Sequence, residues 1–228
     1  MKDTFPPHWV HAKPGHGDVK NQIARMVIYA KKHGHGHLCG ALSALPIIRS
    51  IYASMGPNDT FILSKGHACL AWYVVLEDYG HNPDVTKIHP EIDPVNGITC
   101  TTGSLGHGLP MAVGLALANR LAMKSGVVHV LMGDGECLEG TTWESLALAR
   151  RWMLYDHLVV HVDDNGWQGS CAFLDPGLID NNMSSLFPVK TYNIRKGHGL
   201  SLFEAHPDWH VHYLTDQEYI EALREVQS

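Results

Sequence analysis

Val127-Val128-His129-Val130-Leu131-Met132, running into Gly133-Asp134-Gly135-Glu136, is the stretch that decides the fold. Its mostly apolar residues are too few for a helix and read as a strand buried on both faces. Thr141-Thr142-Trp143-Glu144 carries a capping-box pattern and opens a helix to about Met153. Leu158 to Val162 is a second buried strand, ending in Asp163-Asp164-Asn165-Gly166. Strand, helix and strand joined by short loops predict adjacent parallel strands with a right-handed crossover. The fold class is therefore α/β, a mostly parallel sheet flanked by helices.

Outward from this unit the pattern continues. Phe61-Ile62-Leu63 is a short strand candidate, followed by a helix from Ala68 to Tyr79. Asp18 caps an earlier helix whose Val19, Ile23, Met26, Val27 and Ala30 share one face. Ala41 to Met55 reads as another helix, stopped by Gly56-Pro57. Residues 81–102 are loop-rich. Gly103 to Gly108 leads into a helix with Pro110 in its first turn and a stripe of small residues, Ala112, Gly114, Ala116 and Ala118, which suits a buried or interface position. After Val189 come one more strand, a His/Pro/Trp loop and a helix from Asp216 to Val226. Residues 1–17 read as an N-terminal arm and residues 18–228 as one domain.

Composition narrows the function. The 228 residues carry a net charge of −6, which argues against a general nucleic-acid binder. No stretch approaches the ~20 apolar residues of a membrane span, and the polar start Met1 to Lys13 does not resemble a secretory signal. Five scattered cysteines without a C-x-x-C pair suit free thiols in a reducing cytoplasmic setting. The 17 histidines are the compositional excess that asks for an explanation, since imidazole titrates near neutrality and binds metals.

In a parallel sheet, ligands bind beyond the carboxyl ends of the strands. Asp134 and Asn165 stand at two such ends, 31 residues apart, one strand–helix–strand unit. A carboxylate and an amide oxygen, completed by a loop carbonyl and phosphate oxygens, make the hard shell preferred by Mg²⁺ or Ca²⁺. Glycines around Asp134 let the backbone approach a bulky anion. Either residue alone would also suit a turn that satisfies local amides. At matching strand ends the pair favours a metal–diphosphate site.

These residues resemble a family. Gly-Asp-Gly, a strand–helix–strand unit and then Asn form the thiamine diphosphate fingerprint, and the chain is similar to the N-terminal half of transketolases. Gly36 to Ser43 resembles a G-H-x-G-G-x-L-S start, and Phe61-Ile62-Leu63-Ser64-Lys65-Gly66-His67-Ala68 matches F-I-L-S-K-G-H-A. His89-Pro90-Glu91 resembles a G-H-P-[ED] loop. Thr102 to Gly108 matches T-G-S-L-G-Q-G except at His107, and Gly133 to Glu144 matches G-D-G-E-x-x-E-G-x-x-W-E. Val189 to His210 resembles the block that ends in W-H.

The resemblance implies a thiamine-diphosphate-binding (PP-type) domain. It implies Asp134, Asn165 and the Trp167 carbonyl as metal ligands. His67, Gly135 and His210 would lie near the diphosphate, Gly103 and Leu105 near the thiazolium and aminopyrimidine, and Glu139 at the contact between active-site halves. His37, His89 and His210 would face substrate as proton-transfer and hydrogen-bonding groups. The implied reaction transfers a two-carbon ketol unit from a ketose to an aldehyde. Such chemistry makes and breaks alkoxides, and so favours groups that move protons near neutrality. His33, His35 and His198 read as loop or solvated residues, and His8, His11 and His16 have no derivable role.

Two elements are missing. The glutamate that activates the aminopyrimidine belongs to a second, pyrimidine-binding domain absent from this chain. The resemblance therefore implies a split enzyme with a C-terminal transketolase-like subunit, in an α2β2 heterotetramer. Between about residues 169 and 188 the domain is trimmed to a loop composition with Pro176 and Pro188. The alternatives are a 2-oxo acid decarboxylase- or dehydrogenase-type subunit with the same cofactor and a non-catalytic scaffold homologue.

Overall fold

Strand periodicity and helix capping place the elements. The structure is a computed structural model that describes residues 17–172 and 178–228, so nearly all of the expected arm lies outside the described residues. Helix α1, Val19–His33, starts where the Asp18 carboxylate accepts the Lys20 amide and stops at Gly34 in the left-handed conformation. Helix α2, Leu38–Ser54, begins three residues earlier than the sequence reading, which leaves His37 at its N-cap. Strand β1, Thr60–Leu63, leads through a 3-10 turn to helix α3, Cys69–Asp78. Helix α4, Gly108–Leu121, precedes strand β2, Val128–Gly133, helix α5, Gly140–Arg151, and strand β3, Leu158–Asp164.

The tail adds a two-residue hairpin, strands β4, Trp167–Gln168, and β5, Cys171–Ala172. A π-helical turn, Leu178–Met183, runs into helix α6, Ser184–Leu186. Strand β6, Val189–Asn193, and helices α7, Ser201–Ala205, and α8, Asp216–Gln227, complete it.

Strands β1, β2, β3 and β6 form one parallel sheet in that order. Both faces are covered, as an all-parallel sheet requires. Phe61, Leu63 and Leu131 point into a core built with α1, α2, α3 and α8. Ile62, Val130, Met132, Val160 and Val162 point into a second core with α4, α5 and Phe187. The carboxyl ends of β2 and β3 are in register, Gly133 opposite Asp163, so the polar turns that follow emerge side by side.

Two local expectations are corrected, and a third is met in part. Thr141 does not cap α5. The helix begins at Gly140 after Glu139, and Thr141 Oγ1 instead donates to the Gly106 carbonyl at 2.9 Å while Thr142 Oγ1 donates to that of Glu136 at 2.7 Å. Both hydroxyls fasten the loop in front of the helix. The small-residue stripe on α4 is buried only at Ala112 and Ala116, with Gly114 and Ala118 exposed. The segment before Val189 is not plain loop, because its helical turn sends Ile179 and Met183 into the second core.

Candidate active site

The site is built where β2 and β3 end. Asp134 is 3% exposed, and its Oδ2 accepts the Trp167 amide at 3.1 Å. Asn165 Oδ1 accepts the same amide, also at 3.1 Å. One N–H thus draws a carboxylate and an amide oxygen toward a common point. Burial pushes the Asp134 carboxyl up to about 6, although the nearby Lys65 ammonium opposes the rise. A hard-oxygen pair of this kind, one member buried and the other half-buried, fits a divalent cation, which would hold Asp134 ionised. Among the described residues no three His, Cys, Asp or Glu side chains cluster to hold a metal on their own. A cation here would therefore need a mixed donor set, completed by a main-chain carbonyl and ligand oxygens.

A cavity of about 450 Å³ opens beside this pair, lined by Gly135, Leu105, His67, His210, Lys65 and Lys196, among others. Gly135 leaves room at the cavity wall, since a Cβ there would come within 3.1 Å of the Gln168 side chain. Lys65 is buried and bonds Asp163 Oδ2 at 2.6 Å, an oxygen that also accepts from Ser43 Oγ at 2.8 Å. Lys196 is buried too. Its Nζ donates to the Gly169 carbonyl at 2.7 Å, and desolvation lowers its pKa. Two ammonium groups at the cavity wall suit a diphosphate despite the net charge of −6.

Both lysines fall within matched blocks, yet sequence alone assigns them no role. Each stands directly before a glycine, in Lys65-Gly66 and Lys196-Gly197. Gly66 permits close approach of the chain, since a Cβ there would meet the Gly103 amide at 2.9 Å. A lysine beside a tight backbone turn was the available signal.

Four histidines from four segments converge. The His37 ring lies 5.3 Å from that of His67, 6.3 Å from His89 and 5.0 Å from His210. His67 and His210 are 5.5 Å apart. Burial, and for three of them repulsion by neighbouring positive groups, moves all four below the ordinary imidazole value, His37 to about 4. They are neutral at pH 7, each with one ring nitrogen free to accept. His67 packs on Gly40 and His89 under Gly103, where any side chain would clash with the ring at 2.9 Å.

The remaining assigned residues divide. Leu105 is exposed and lines the cavity, held by a loop that Glu136 pins from below. Glu136 accepts from Ser64 Oγ, from the Gly133 amide at 2.9 Å and from the Gly106 amide at 3.1 Å. Sequence alone gives Glu136 no task. Glu139 does not line the cavity, and its Cβ and Cγ pack against Gly106. His107 is exposed, its ring bonded to Ser104 Oγ and the Leu105 carbonyl. His35 lies in the loop between α1 and α2, as expected, but not on the surface. It is 4% exposed, with its ring nitrogen 2.8 Å from the Val85 carbonyl. His129 and His161, also unassigned from sequence, form a buried chain with Tyr192 across the sheet.

Residues 24–172 match the family model described as "Transketolase, thiamine diphosphate binding domain". The chain belongs to the transketolase family. Two of its relatives are themselves named as subunits. One, from the apulose-4-phosphate transketolase of Actinobacillus succinogenes, is 29% identical, over 89% of this chain and 91% of its own length. Its counterpart in Phocaeicola vulgatus is 31% identical over 89% and 90%. The solved transketolase of Leishmania mexicana superposes with a TM-score of 0.63 at 22% identity, covering 92% of this chain but 44% of that one. The chain is thus a subunit-sized transketolase homologue, with the fold of the N-terminal portion of the longer enzymes. No helix among the described residues is long and apolar enough to cross a membrane.

Proposed function

We propose that this chain is the thiamine-diphosphate-binding subunit of a split transketolase, which moves a two-carbon ketol unit from a ketose-type donor to an aldehyde acceptor. The observation that carries the reading is a cluster of four neutral imidazoles, two of which, His67 and His210, line the same cavity as the Asp134–Asn165 oxygen pair and the two buried lysines. Asp134, Asn165 and the Trp167 carbonyl would hold Mg²⁺ or Ca²⁺. His67, Gly135 and His210 would meet the diphosphate, and Gly103 and Leu105 the rings of the cofactor. Bound thiamine diphosphate supplies the carbon that stabilises the transferred unit as an anion.

The protein's own groups move protons. His37 and His89, neutral at pH 7, accept the donor's hydroxyl proton through a free ring nitrogen as the carbon–carbon bond breaks. The same imidazole returns a proton to the acceptor's carbonyl oxygen as the new bond forms. His210 is close enough to His37 to share this task. As pH falls toward the value of about 4 for His37, its ring protonates and can no longer accept.

The glutamate-bearing pyrimidine domain comes from a second polypeptide in this reading, in an α2β2 assembly whose contact includes Glu139. The relatives named as transketolase subunits support it. Five free cysteines suit a cytoplasmic home. The test mixes the full chain with a C-terminal transketolase-like subunit, thiamine diphosphate and Mg²⁺, and assays ketol transfer. Transfer that is lost with Asp134→Ala supports the reading. Donor-dependent release of carbon dioxide without transfer would assign a 2-oxo acid decarboxylase instead. Absence of cofactor binding with the partner present would leave only a scaffold.

A further inference from the structure

His210 reaches the histidine cluster from a stretch without regular secondary structure between α7 and α8. A loop side chain is placed only as well as its backbone is held, and here the holding is aromatic. The Trp209 ring is sandwiched between two imidazoles, His206 at 4.4 Å and 7° and His212 at 3.7 Å and 14°. Phe203 closes the edge at 5.8 Å and 82°. The stack is anchored at both ends. The His206 amide donates to the Phe203 carbonyl of α7 at 3.2 Å, and the His212 amide donates to the Gly36 carbonyl at 2.8 Å. The His212 ring meets Glu218 at 3.0 Å, and the same Glu218 oxygen accepts the Thr215 amide that begins α8. Gly36 immediately precedes His37, so the stack ties the two reacting imidazoles to one another.

We propose that Trp209 is a positioning residue for His210, acting through the His206–Trp209–His212 stack. The inference rests on the reading of this cavity as the ketol-transfer site. Trp209 is absent from the cavity wall, whereas His210 forms part of it. Loss of the sandwich frees the loop, and a misplacement of about 1 Å at a proton-transfer group is enough to cost roughly 100-fold in rate.

The test is a double-mutant cycle on the reconstituted enzyme. Trp209→Ala is expected to lower kcat about 10- to 100-fold while KM for the donor stays within about twofold, and Trp209→Phe, which keeps a stacking ring, to recover most of the loss. In a His210→Ala background, Trp209→Ala is expected to cost less than about twofold, since its route of action has gone. Equal losses in both backgrounds, or none in either, would overturn the proposal. Should the wild-type enzyme transfer no ketol unit, the functional reading fails alone. NMR of the full chain then decides the stack: the His210 imidazole resonances shift and broaden in Trp209→Ala and not in Trp209→Phe if the stack holds the ring, and stay unchanged in both if it does not.

Discussion

The buried Lys65–Asp163 pair offers the sharpest test of how the site is held. The two side chains are 1% and 0% exposed and meet at 2.6 Å. Asp163→Ala would strand the Lys65 ammonium in the protein interior, a loss of about 3–5 kcal/mol. A smaller gain opposes it. Asp163 Oδ1 is buried without a hydrogen-bond partner, and removing such an acceptor recovers about 1 kcal/mol, the low end for an unmade bond. The stranded charge wins, and the net cost is about 2–4 kcal/mol, a large part of the roughly 5–15 kcal/mol that holds a domain together. For a chain of this length each kcal/mol moves Tm by roughly 2–4 °C, so a fall of roughly 5–15 °C follows. Urea unfolding at pH 7 measures the free energy directly. The companion variant Lys65→Met/Asp163→Leu leaves no charge behind and is expected to cost less than either single change. A cost below about 1 kcal/mol for Asp163→Ala, or a double variant equal to the sum of its singles, would refute the reasoning. The double variant also separates folding from binding, since it folds yet lacks the cavity-lining ammonium.

Three further outcomes are expected. Asp134→Asn removes the charge but keeps the shape, so calorimetry should show thiamine diphosphate affinity that no longer rises when Mg²⁺ is added. An unchanged Mg²⁺ dependence would remove Asp134 from the metal assignment. Glu136→Gln weakens the hub that joins Ser64, Gly133 and Gly106, at about 1–3 kcal/mol, and hydrogen exchange of the Gly106 amide should quicken; protection equal to wild type would show that the loop is held elsewhere. Burial lowers His161 from 6.5 to about 3, so the unfolded chain binds its proton first and this residue costs stability as pH falls from 6.5 toward 3. His161→Phe should therefore lose less Tm between pH 6.5 and 4.5 than wild type does, and an identical loss would exclude His161 as a source of acid sensitivity.

Much of the fold was legible because it depends on local pattern. A short apolar run between turn residues can hardly be anything but a buried parallel strand, and both Val128–Gly133 and Leu158–Asp164 form where the run dictates. The capping signal at Thr141 misled for a physical reason. Its hydroxyl had a better partner in the Gly106 carbonyl, which lies 35 residues away and is invisible to a local rule. The early start of α2 has a related origin, since the Gly36 carbonyl is held by His212 from the far end of the chain. The burial of His35 within its loop was not legible because its partner, the Val85 carbonyl, is 50 residues distant.

The sequence by itself determined the α/β class and the strand ends that carry Asp134 and Asn165, because strand periodicity and the placing of polar residues after a strand are properties of neighbours along the chain. It also marked His37, His67, His89 and His210 through resemblance. Only the tertiary structure decided that these four rings lie within 6.3 Å along the chain of contacts through His37, that Lys65 has Asp163 opposite it, and that Trp209 stacks on His206 and His212. Burial is collective: an imidazole is held well below its ordinary value only when many distant residues exclude water from it together.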